Sequence, residues 1–203
     1  MVIDMRHMTN EHLNHPWTRY VALGDSFTEG IGDPEPESVG GNRGWADRVA
    51  EVLTDGQPDF SYANLAVRGK ILSQISDEQV EPVLQLRPDL ITISAGGNDV
   101  IRPGADPDDI AARFDGVISR LSRSGATVVI YNENLRSVAA RHGCLVIDLW
   151  SLTAIQDARM WAPDRLHFNP LTTKRSFANS ASSPKPSSSP RNPSVRAEPR
   201  DQQ

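Results

Sequence analysis

The sequence predicts an α/β protein, a five-stranded parallel sheet with helices on both faces. Three observations predict it. Short apolar, β-branched runs recur along the chain. Segments with helical spacing of apolar residues separate them. The first three runs end in glycine-containing or polar turns. Strands alternating with helices make right-handed βαβ units, and a sheet built that way is covered on both sides.

The elements follow in order. Tyr20 to Leu23 reads as a buried strand running into Gly24-Asp25-Ser26. The stretch from Gly32 to Gly41 is rich in Pro and Gly and reads as a loop. From Gly44 to Leu53, Trp45, Val49, Val52 and Leu53 fall at helical spacing, with Trp45 a core anchor. Phe60 to Val67 is the second strand, leading into Asn64–Gly69. Residues 73–86 read as a helix kinked by Pro82 and ended by Arg87-Pro88-Asp89. Leu90–Ser94 is the clearest strand and runs into Ala95-Gly96-Gly97-Asn98-Asp99. Asp106 to Ser124 is a helix with Pro107 in its first turn and Ile110, Phe114, Val117, Ile118 and Leu121 on its apolar face. Thr127–Tyr131, a short helix from Asn134 to His142 stopped by Gly143, and Leu145–Leu149 complete the pattern.

Composition narrows the function. A chain of 203 residues with 38% hydrophobic and 23% charged residues is the size of one soluble domain with a real core. A net charge of −5 argues against a general nucleic-acid or membrane-surface role. Cys144 is the single cysteine, which excludes an intrachain disulfide and a cysteine-based zinc cluster and suits a small buried hydrophobe beside a strand. No apolar run is long enough to span a membrane, and no signal peptide is recognised, so a cytoplasmic, monomeric protein is the expectation. Residues 1–17 read as a flexible leader, 18–170 as the folded domain and 171–203 as a disordered tail. That tail holds eight Ser and five Pro, with six Lys/Arg against two Asp/Glu. It has too little apolar surface to offset the entropy of ordering.

Two stretches carry chemistry. Ser26 sits at the carboxyl end of the first strand, the edge at which parallel sheets bind ligands. Alone, Gly24-Asp25-Ser26 reads equally well as a strand-ending turn with a helix cap. Asp164 and His167 are three residues apart, a spacing that puts a carboxylate beside an imidazole and leaves the other ring nitrogen to accept a proton. Alone, that pair reads more readily as a capped surface turn. Together, Ser26 after strand one, Gly69 after strand two, Asn98 after strand three and Asp164/His167 after strand five lie at one sheet edge. They are a nucleophile, two loop positions able to supply oxyanion donors, and a base with its orienter, the parts that acyl transfer needs.

Gly24-Asp25-Ser26-Phe27, Asn64 to Gly69, Gly96-Gly97-Asn98-Asp99 and Asp164-Arg165-Leu166-His167 resemble the four sequence blocks of the SGNH (GDSL-type) hydrolases, the esterase/lipase family, in the family's order and over residues 18–170. Their wording is similar to that of bacterial, actinobacterial-like members. The resemblance implies a flavodoxin-like three-layer α/β/α sandwich. It implies a serine hydrolase that cleaves small carboxylic esters through an acyl-enzyme, without cofactor or metal. Ser26 would be the nucleophile, with His167 as base and acid and Asp164 as its orienter. The Ser26 and Gly69 N–H groups and the Asn98 amide would form the oxyanion hole. Asp25 and Asp99 would hold loops.

Two departures stand beside the resemblance. Asn132-Glu133-Asn134 is a shorter link after strand four than the family carries. The family's terminal helix is replaced by the Ser/Pro tail, so Phe168 and Leu171 are the only apolar anchors expected near His167. The rival expectation is a catalytically weak or inactive protein of the same fold that at most binds a ligand. P-loop and dinucleotide fingerprints are missing, and the serine lacks the G-x-S-x-G elbow.

Overall fold

The computed structural model describes residues 15–130, 136–146, 157–164 and 167–169. Most of the expected leader, the link at 132–134 and the tail lie outside the described residues. Strands β1 (Arg19–Gly24), β2 (Ser61–Asn64), β3 (Leu90–Ser94), β4 (Thr127–Ile130) and β5 (Leu145–Val146) form a five-stranded sheet in the order β2-β1-β3-β4-β5. Every neighbouring pair is parallel. This is the expected architecture.

Alternation along the strands sorts the core into two layers. Val21, Leu23, Ile91, Ile93, Val128 and Ile130 face one side. There they meet helices α3 (Leu72–Glu78), α4 (Val80–Gln85), α6 (Pro107–Ser122) and α7 (Arg136–His142). Tyr20, Ala22, Leu90 and Val129 face the other side, against α2 (Trp45–Thr54) and Trp17. The chain moves from β1 outward to β2, then back past β1 to β3. Right-handed crossovers in opposite directions place their helices on opposite faces. The reversal opens a crevice at the carboxyl ends of β1 and β3, where such sheets take their ligands.

Local rules explain most boundaries. Asp106 caps α6 by accepting the Asp108 N–H at 2.9 Å, and Pro107 occupies the first helical position. Phe114, Val117, Ile118 and Leu121 are buried as expected, as is Trp45. Gly143 follows α7 with φ +65°. Beyond it, Cys144 is half-buried against the core, and burial pushes its thiol pKa up.

Three details differ from the sequence reading. The helix expected over 73–86 is two helices. Proline has no N–H to give the carbonyl four residues back, and its ring crowds that carbonyl. For Pro82 that residue is Glu78, where α3 ends. The second strand is shorter than Phe60–Val67, although the segment beyond it stays tied to β1 through Leu65 N–H to Ala22 O and Val67 N–H to Gly24 O. The described part of the expected leader is packed. Trp17 is buried, with its indole donating to Thr127 Oγ1 at 3.2 Å, and His15 stacks on it. Among the described residues no helix is long and apolar enough to cross a membrane.

The junction between α3 and α4 holds the residue that fixes the end of β1. Gln79 is buried, and its side-chain amide spans one residue, accepting the Gly24 N–H and donating to the Gly24 carbonyl, both at 2.9 Å. Gln79→Leu would strand the buried Gly24 N–H. It should lower unfolding free energy by about 1–3 kcal/mol in urea titrations, with the α/β circular-dichroism spectrum unchanged.

Candidate active site

Gly24 closes β1 against β3. Its φ is +147°, and a Cβ there would collide with the Ser94 carbonyl oxygen and crowd Thr28 Oγ1. Only glycine permits that approach. The chain turns at once into a single-turn helix, α1 (Ser26–Glu29). Asp25 is its N-cap, with Oδ1 accepting the Phe27 N–H at 3.1 Å and its carbonyl accepting from Thr28 and Glu29. Among the described residues, the Ser26 N–H is the first-turn donor left without an acceptor.

The histidine segment is a closed loop. Trp161 and Phe168 form an antiparallel bridge. Ala162 N–H donates to His167 O at 2.8 Å, and Asn169 N–H to Met160 O at 3.0 Å. Asp164 lies at the tip and bonds His167 twice, to the backbone N–H through Oδ1 at 3.1 Å and to ring Nδ1 through Oδ2 at 2.8 Å. The second bond assigns the proton to Nδ1, so Nε2 carries a lone pair. Ser26 Oγ lies 2.8 Å from Nε2 and donates to it, across 141 residues of sequence. His167 is buried, whereas the Asp164 side chain is 49% exposed.

The other expected residues reach the same edge. Gly69 lies between β2 and α3 with φ +76°. Asn98 lies in α5 (Gly97–Val100), just past β3. Its amide donates to Lys70 O at 3.0 Å, which ties it to the Gly69 loop, and more weakly to Asp25 Oδ2 at 3.4 Å. To serve a ligand, the amide would exchange the longer of these bonds. Asp25 and Asp99 hold loops as expected. Asp99 accepts the Leu72 N–H at 3.0 Å, and Asp25 caps α1.

The expectation that Phe168 and Leu171 alone anchor His167 is corrected. The bracing comes from the first third of the chain, which sequence proximity does not reveal. Phe168 meets Phe27 edge-on at 5.3 Å and tilts against Trp161 at 4.7 Å. Gly32, at φ +94°, lies so close that a Cβ would sit 2.6 Å from Phe168 O and 2.9 Å from His167 Cβ. That loop is itself pinned by the buried carboxylate of Asp33, which takes the Arg48 guanidinium at 2.6 Å. Leu171 lies outside the described residues.

Sequence reasoning missed Gln79, Gly32 and Glu29. Gln79 had a signal, since it interrupts the apolar stripe Leu72–Ile75–Val83 at helical spacing. Gly32 and Glu29 had none, because their partners are distant in sequence. Among the described residues, no cluster of three or more His, Cys, Asp or Glu could hold a metal ion.

Comparison with known proteins is consistent with this geometry. Residues 22–175 match the sequence model of the GDSL-like lipase/acylhydrolase family. No curated protein matches the chain. Among solved structures, it is similar to LAE5, an alpha/beta hydrolase enzyme from the metagenome of Lake Arreo, Spain (20% identity, 80% of this chain and 92% of that one, TM-score 0.65). It is similar to TesA (19% identity, 79% and 94%, TM-score 0.67). It is also similar to Axe2, an acetylxylan esterase from Geobacillus stearothermophilus (17% identity, 82% and 95%, TM-score 0.61). At these identities the structural likeness is one of fold.

Asp25 gives the site a pH signature. Burial raises its carboxyl above the usual carboxylate range, partly opposed by the Phe27 N–H and the neighbouring His167. A raised folded-state value means that the native state holds the proton longer than the unfolded chain does, so native stability falls as pH rises through it. Asp25→Asn removes the ionisation. Whatever its constant offset, the difference in unfolding free energy should move in the variant's favour as pH rises over the range above the ordinary carboxylate value, about 4. Parallel curves in urea titrations across that range would refute the assignment.

Proposed function

The chain belongs to the GDSL-like lipase/acylhydrolase family, an ester-hydrolysing family, and from that premise we propose that it cleaves carboxylic esters through an acyl-enzyme formed on Ser26. The observation that carries the reading is the unbroken relay Asp164–His167–Ser26, with both ring contacts at 2.8 Å.

Ser26 Oγ attacks the ester carbonyl carbon while His167 Nε2 takes the hydroxyl proton. Asp164 holds the tautomer that makes Nε2 the acceptor and stabilises the imidazolium that forms. As the C–O bond forms, the carbonyl electron pair moves onto oxygen. The Ser26 and Gly69 N–H groups and the Asn98 amide are the donors for that charge, and aligned donors of this kind are commonly worth several kcal/mol each. Collapse of the tetrahedral species expels the alcohol, which takes its proton from His167. Water then repeats the sequence, with His167 again as base, and frees the acid and Ser26.

The first test is hydrolysis of a short-chain p-nitrophenyl ester, which separates this reading from the rival of a weak or inactive ligand binder. Ser26→Ala should lose turnover by roughly 10³-fold or more while keeping the wild-type circular-dichroism spectrum. A variant that retains most of its activity would remove Ser26 from the mechanism.

Gly32→Ala tests the placement of the base. The new methyl must push the His167 loop outward. It should lower kcat by roughly ten- to a hundredfold, since ångström-scale misplacement costs about 10² in rate. The chain should still fold. Unaltered kcat would mean that the Gly32 loop does not set the His167 position.

A further inference from the structure

We propose that Glu29 is a positioning residue that sets the oxyanion donor loop against the nucleophile. Glu29 closes the same helical turn that Ser26 opens. Its carboxylate gathers donors from one residue, Arg68. The Arg68 backbone N–H donates to Oε2 at 2.6 Å, Nε donates to Oε1 at 3.0 Å and to Oε2 at 3.2 Å, and the terminal guanidinium nitrogen donates to Oε1 at 2.6 Å. Arg68 immediately precedes Gly69. Backbone and side chain of one residue are therefore fastened to a single carboxylate, and the peptide carrying the Gly69 N–H leaves from that fixed point. On its other side the loop is held by Asn98, which donates to Lys70 O.

Stability does not account for the arrangement. The Arg68 side chain is 59% exposed and that of Glu29 is 24% exposed, and ion pairs so open to water add little to folding. What the multiple bonds supply is direction. Forked contacts between a guanidinium and a carboxylate fix orientation as well as distance. Gly69 also needs such a constraint, because it has φ +76° and no atom lies within 4 Å of where a Cβ would stand, so no side-chain packing fixes it on that side. Its direction then leans on the residues that flank it.

The proposal rests on the acyl-enzyme reading above and adds to it the residue that aims one donor. The experiment measures kcat and KM on a p-nitrophenyl ester and inhibition by a simple alkylboronic acid, which forms a tetrahedral anion on a serine. The series is wild type, Glu29→Ala, Glu29→Gln, Arg68→Ala and Ser26→Ala. Glu29→Ala should lower kcat about tenfold and weaken the boronic acid by a similar factor, with KM within about twofold and Tm unchanged. Arg68→Ala should cost less, because its backbone N–H still reaches Glu29. Glu29→Gln should recover part of the loss, because its amide oxygen still accepts that N–H. An active Ser26→Ala would overturn the acyl-enzyme reading and this proposal with it. An inactive Ser26→Ala beside a Glu29→Ala of wild-type kcat would overturn this proposal alone. So would a rise in KM only, or equal losses in Glu29→Ala and Arg68→Ala.

Discussion

The site depends on how closely β1 and β3 approach at Gly24 and Ser94. No side chain fits between them, because a Cβ on Gly24 would strike the Ser94 carbonyl. That closeness lets the chain turn sharply into α1 and present Ser26 at the crevice rather than beneath a side chain. The backbone of Gly24 is fixed in turn by Gln79, whose amide makes both of its bonds to that one residue. Such a residue costs α3 its continuity. The helix breaks where Gln79 reaches across, and Pro82 makes the break local by denying Glu78 its usual donor. A feature that looks like a helix defect is thus the anchor of the nucleophile.

The base is held by a different logic. His167 lies on a loop of no regular structure near the end of the described chain. Its surroundings are loops as well, the Gly32 turn on one side and the Phe27–Phe168–Trp161 aromatic stack on another. Loops can place a side chain well when they are pinned, and here the pin is the largely buried Asp33–Arg48 pair. A buried pair is costly to make, and removing one partner leaves a bare charge. Its use here is to hold one backbone conformation against the segment that carries the imidazole. Asp164 remains half in water. It orients the ring through the bond to Nδ1 and holds the backbone through a second, without itself being buried.

Much of this was legible in the sequence, where periodicity governs. The strand at Leu90–Ser94 and the buried face of α6 match because period-2 and period-3.6 patterns reflect which side of an element meets the core. Ser26, Asp164 and His167 were legible because their blocks are short and local, and the structure brings all three within hydrogen-bond distance. Asn98 was legible as a residue but not in its contacts, since nothing local signals that its amide rests on Lys70 and Asp25. Gln79, Glu29 and Gly32 act through partners separated from them by 39 residues or more. A single sequence does not say which distant residue such a side chain meets. The packing of His15 and Trp17 was hidden for the same reason, because the polar character of the first residues masks two stacked rings, of which Trp17 joins the core layer on the α2 side.

The bond between Ser26 and His167 also dictates when the site can exist. It joins positions 141 residues apart, the first strand end and the last described loop. Closing so long a loop carries an entropy cost that the packing between its two ends must offset. A chain still being synthesised therefore holds Ser26 without its base until residue 167 has been added. Chemical competence belongs to the two ends of the described domain together and to neither alone.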